Sequence, residues 1–147
     1  MSTLTASNTK TERISFSRLL WVGPVAAVVA AMANLIVFII VKNLLGIPLM
    51  GPSGPGSTEM APLPAVAVII ASIVPAIAAT ILLAVLSKFL ARPIRVFWII
   101  SVVFLLISFA SPLGLPVDVA TKVTLELMHI VAAVAIVGGL TTLGRKK

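Results

Sequence analysis

The chain has 147 residues, 60 % of them hydrophobic and only 10 % charged, where soluble domains sit near about 45–50 % and about 25 %. A water-soluble core of this size cannot enclose so much apolar side chain, so the excess faces lipid. The formal net charge of +7 does not mark a nucleic-acid interface, because the basic residues sit at the ends of apolar runs and do not line a face with interleaved aromatics. With no cysteine, disulfides, thiol nucleophiles, Cys-ligated zinc and iron–sulfur clusters are excluded.

Residues 1–18 are polar and rich in Ser and Thr and read as a disordered cytoplasmic tail. A bilayer core about 30 Å thick needs about 20 apolar residues in a helix, and four runs supply that length or come close. The first covers 19–41, LLWVGPVAAVVAAMANLIVFIIV. Basic residues precede it and Ala31-Met32-Ala33 resembles a signal-cleavage site, but the apolar stretch continues through LIVFIIV, so an uncleaved span is expected. The connection 44–64 is crowded with Pro and Gly, which forbids a regular helix. It reads first as a plain external linker; the sharper reading is a cap over the mouth of the bundle, because LLGIPLM offers apolar side chains that could dock.

The second span covers about 65–86 and the third about 94–110. The third is short and must recruit part of SPLGL or cross a thinned region. Pro93 suits the first turn of that helix, and Asp118 suits the N-cap of the fourth span, about 117–140. The basic tail 143–147 closes a four-helix transmembrane domain over 19–142. The fold class is therefore all-α: a polytopic membrane protein built as a four-transmembrane-helix bundle.

Charge sets its direction. Lys10, Arg13 and Arg18 precede the first span, Lys88, Arg92 and Arg95 join the second to the third, and Arg145, Lys146 and Lys147 follow the fourth, leaving Lys42 and Lys122 near the other side. The positive-inside rule places both termini in the cytoplasm, with Trp21 and Trp98 in the cytoplasmic aromatic belt. The expected location is a bacterial cytoplasmic (inner) membrane.

Helices associate in lipid through close packing and polar contacts. Ala26-Ala30, Ala27-Ala31, Ser72-Ala76-Thr80 and Ala135-Gly139 supply small residues at four-residue spacing, suited to an internal seam or to a homo-oligomer. Pro75, in mid-span, is expected to free a carbonyl near Ala71 and kink the second helix.

The last span poses a problem of its own. Asp118, Lys122, Glu126, His129 and Ala133 fall within an arc of roughly 80° at about 100° per residue, and a charge at the bilayer centre costs on the order of 3 kcal/mol. This stripe must face protein or water. As a polar clasp, the charges pair along the helix and His129 bonds to Asn34 of the first span or to a carbonyl freed by Pro75. As a proton or ligand site, Glu126 and His129 form a titrating pair open to the outside, with Asn34 the best partner and Ser72, Thr80, Ser101 and Ser108 weaker ones. Glu126-Leu-Met-His129 is half of a di-iron helix motif, but the carboxylates that would complete it are missing from the other spans. A single histidine supplies one haem ligand per chain, and no nucleophile or paired carboxylate is evident. No metal, no cofactor and no catalytic residue is expected.

RLLWVGPVAAVVAAMANLIVF around Asn34, the Pro/Gly loop followed by PLPAVAVIIASIVPA, and TKVTLELMHIVAAVAIVGG around His129 resemble a family of small bacterial four-span membrane proteins known only as a domain of unknown function. The resemblance implies the topology and adds no catalytic residues. The small multidrug resistance transporters share four spans and one membrane glutamate, but theirs lies in the first span and their aromatic-rich sites have no counterpart here. The sequence thus points to a non-enzymatic membrane protein whose partners are the lipid bilayer and a homo-oligomer or other membrane protein, with no nucleic acid. The alternative is a small proton-coupled transporter or channel using Glu126 and His129.

Overall fold

In hydrocarbon every backbone N–H and C=O must be paired within the protein, so long apolar runs become helices. The computed structural model describes residues 14–54 and 56–145. Within them, four helical stretches are long and apolar enough to cross a membrane: Phe16–Leu44, Ala65–Phe89, Pro93–Gly114 and Val119–Leu143. Residues 1–13 of the N-terminal tail, Pro55, and Lys146 and Lys147 of the basic tail lie outside the described residues.

The first stretch comprises α1 (Phe16–Ile39) and a π-helical turn, Ile40–Leu44. It begins three residues before the apolar run, because Ser15, in extended conformation, starts the helix at Phe16. A two-stranded hairpin follows, β1 (Met50–Pro52) and β2 (Met60–Pro62), and then α2 (Ala65–Phe89). Helix α2 continues through Pro75, and α1 through Pro24. The third stretch is α3 (Pro93–Ser108) continued by the short α4 (Ala110–Gly114), so SPLGL does extend the helical length of this run. Pro93 occupies the first turn of α3, where a missing N–H is harmless. Helix α5 (Val119–Leu143) completes the bundle.

Helix α1 is the central element. It packs against α2 on one side and α5 on the other, while α3 is anchored on the bundle by Ile94 and Phe97. The close approach depends on the small residues Gly23, Ala26, Ala27, Ala30 and Ala31, all buried on α1. The apolar core falls into two groups. Leu19, Val22, Leu83, Phe97 and Leu140 fill one end; Phe38, Val41, Leu49, Val68 and Met128 fill the other.

At the first end, Ile14 bridges to Arg145 and the Ser15 N–H donates to the Gly144 carbonyl at 3.1 Å, so the two ends of the described chain meet. At the second end, the Pro/Gly-rich connection is not a plain linker. Its strands pair antiparallel, Met50 with Pro62 and Pro52 with Met60. The turns depend on Gly46 and Gly56, whose φ angles of 66° and 77° are left-handed. The Leu63 N–H donates to the Leu49 carbonyl at 2.8 Å, and Leu49, only 3 % exposed, packs with Phe38, Val41, Val68 and Met128. The hairpin is a cap on the bundle.

Candidate functional site

The polar face of α5 begins at its N-cap. Asp118 Oδ1 accepts from the Thr121 N–H at 2.8 Å and Oδ2 from the Thr121 hydroxyl at 2.6 Å. The Thr121 hydroxyl and the Thr121 N–H hold the Asp118 carboxyl below its ordinary value. Thr121, fully buried, is the residue that sequence reasoning overlooked; its signal was the spacing, three residues after a capping acid.

Lys122, one turn on, donates from Nζ to the Leu113 carbonyl of α4 at 3.0 Å. The pairing expected from the spacing, Asp118 with Lys122 and Lys122 with Glu126, is replaced by these contacts. The physical reason is that α4 ends beside the start of α5 and offers a terminal carbonyl that no helical N–H satisfies.

Glu126 is half-buried, yet both carboxyl oxygens are enclosed and neither has a hydrogen-bond partner among the described residues. His129 bonds within its own helix: Nδ1 lies 2.7 Å from the Leu125 carbonyl, which can only accept, so Nδ1 carries the proton. The imidazole thus bonds neither Asn34 nor a carbonyl freed by Pro75. Asn34 is engaged elsewhere. Its Nδ2 donates to Ser72 Oγ at 3.0 Å, and that hydroxyl donates to the Val68 carbonyl at 2.8 Å. Asn34 Oδ1 is buried without a partner among the described residues.

The expected residues therefore fall into separate groups. Asn34 and Ser72 join α1 to α2; Asp118 and Thr121 cap α5; Lys122 ties α5 to α4; His129 is bonded to its own backbone. Glu126 stays alone. It lies on the same stripe of α5 as Lys122, about 40° away around the axis, so its face turns toward the side on which α4 packs. Thr80 and Ser108, weaker candidates for the site, also bond to their own helices, at the Ala76 and Leu105 carbonyls. Among the described residues, no three His, Asp or Glu side chains gather as a metal-binding set.

Chemically, an enclosed carboxyl without a donor is an unmet demand. Buried polar atoms are almost always hydrogen-bonded, and leaving one unsatisfied costs about 1–3 kcal/mol. Among the described residues of the stripe, Glu126 is thus the one side chain whose hydrogen bonds the chain itself does not supply.

No curated protein and no solved structure matches the chain. Four of its helices are apolar and long enough to cross a membrane, and residues 15–146, nearly its whole length, match the family of unknown function DUF6069, to which the chain belongs.

Proposed function

We propose that the protein is a non-enzymatic assembly subunit of a bacterial cytoplasmic membrane, and that the Glu126 face of α5 binds a membrane-embedded partner. The partner is a second copy or another helical membrane protein that offers a hydrogen-bond donor at the depth of Glu126. One observation carries this reading: both Glu126 oxygens are enclosed and receive no hydrogen bond, while the polar residues around it are bonded within the chain. Turned outward from its half-buried position, the carboxyl would take a donor from a neighbouring helix and relieve that cost, and helices in lipid associate through such polar contacts. The basic residues of the tails and of the α2–α3 connection support a topology with both termini in the cytoplasm. No cofactor, metal or nucleic acid takes part.

Native mass spectrometry of the protein extracted in mild detergent tests this. The 15.3 kDa chain is expected in a complex, with Glu126→Leu releasing the monomer at unchanged helicity. A wild-type protein that is monomeric throughout overturns the reading. Intact assembly of Glu126→Gln with lost pH-dependent flux would favour a proton relay through Glu126 and His129 instead.

A further inference from the structure

A groove of about 300 Å³ runs between α1 and α5 on the apolar exterior of the bundle, and none of the Asp118, Lys122, Glu126 and His129 side chains lines it. Val22, Val25 and Val29 line one wall, and Val134, Gly138 and Leu143 the other. Its floor is closed where Ala26 meets Gly139: a Cβ on Gly139 would lie 3.4 Å from the Ala26 Cβ, an ordinary contact. Gly138 differs. A Cβ there would meet nothing within 4 Å, so packing inside the chain does not call for glycine. Glycine is nonetheless the least favoured helix residue after proline. Its bare flank keeps the groove open.

One end of the groove is cationic. Arg18 lies one turn before Val22, on the stripe of α1 that carries Val25 and Val29. Arg145 follows Leu143 by two residues. The two residues meet at this end: Arg18 Nη1 donates to the Arg145 backbone carbonyl at 2.8 Å, and Arg145 Nε donates to the Thr141 carbonyl at 2.9 Å. A guanidinium has about five N–H donors, so most of each fork is left for a ligand. The described acids are remote from this end: Glu59 belongs to the hairpin, Asp118 to the start of α5, and Glu126 lies roughly 28 Å along the helix from Arg145.

We infer that this groove seats an acyl chain of an anionic phospholipid, with its phosphate held by Arg18 and Arg145. An apolar trough with a cationic mouth at the membrane surface complements one amphiphile, a fatty chain under a negative headgroup. A second copy docked in parallel would bring its own Arg18 and Arg145 to the same mouth, where like charges repel. The inference does not depend on the role proposed for Glu126.

Native mass spectrometry of the full chain, released from nanodiscs of equal phosphatidylglycerol and phosphatidylcholine, tests it. The wild type should retain phosphatidylglycerol over phosphatidylcholine by on the order of thirtyfold, as two basic residues at a membrane surface provide. Arg18→Gln/Arg145→Gln should bring that ratio close to one. Gly138→Leu, which fills the trough, should lower retention of both lipids at unchanged helicity, with Gly138→Ala as the milder control. Equal retention of the two lipids by the wild type overturns the inference. So does a Gly138→Leu protein that holds lipid as the wild type does, or a wild-type dimer that Gly138→Leu separates.

Discussion

Asn34 on α1 and Ser72 on α2 are joined by a buried hydrogen bond of 3.0 Å, and the Ser72 hydroxyl in turn donates a hydrogen bond to the Val68 carbonyl. This relay fastens the first two spans at the height of the second core group, whose residues Phe38 and Val68 lie one turn away on the same two helices. A double-mutant cycle of Asn34→Ala and Ser72→Ala is expected to give a coupling of about 0.6–1.7 kcal/mol, the range of interhelical hydrogen bonds in membranes. Unfolding in mixed micelles measures it. Asn34→Leu should cost less than Asn34→Ala, because it fills the volume and removes the unpartnered Oδ1.

Gly23 is required by its neighbour. A Cβ at this position would sit 2.7 Å from Thr80 Cγ2 and 2.8 Å from Thr80 Oγ1. Thr80 cannot easily turn away, being β-branched and bonded to the Ala76 carbonyl at 2.7 Å. Gly23→Ala should therefore destabilise the bundle by about 1–3 kcal/mol, the usual cost of overpacking. Thr80→Ala in the same chain should recover most of the loss. Recovery absent from the unfolding curves would mean that Gly23 serves something other than the α1–α2 contact.

Asp118 gives the fold a dependence on pH. Its carboxyl is held below its ordinary value by the Thr121 hydroxyl and N–H, so the charged form is the one that the folded state favours. The resulting stability is complete above the unfolded carboxyl pKa of about 3.9 and is lost as pH falls through the lower folded value. Thermal melts at neutral and strongly acidic pH should converge for wild type and Asp118→Ala at the acid end and separate at the neutral end. Asp118→Asn, which caps without titrating, should flatten the acid limb.

The absence of cysteine makes single-cysteine labelling a clean test of direction. Ser57→Cys, in the hairpin, should react with a membrane-impermeant maleimide in intact cells. Ala91→Cys, exposed between α2 and α3, should react only after the membrane is opened. The reverse pattern would place the basic ends outside.

Much of the architecture is legible in the sequence, because a bilayer reads length and hydropathy one segment at a time. Four apolar runs of spanning length become four helices, and Asp118 and Pro93 mark helix starts through local chemistry that needs no distant partner. The expected pairings along α5 were less secure. Spacing shows that Asp118, Lys122, Glu126 and His129 share a face, but not that the Leu113 carbonyl stands closer to Lys122 than either acid does, or that the Leu125 carbonyl claims His129.

What the sequence alone determined is the class of protein, the number of spans and the stripe of polar residues, since these follow from composition and a helical period. The tertiary structure decided that Asn34 meets Ser72, that Gly23 yields to Thr80, that a proline-rich loop folds into a cap, and that Glu126 is left without a donor. Each of these depends on how helices cross and which carbonyls they present to one another. A periodicity holds no information about the neighbour on the far side of the contact.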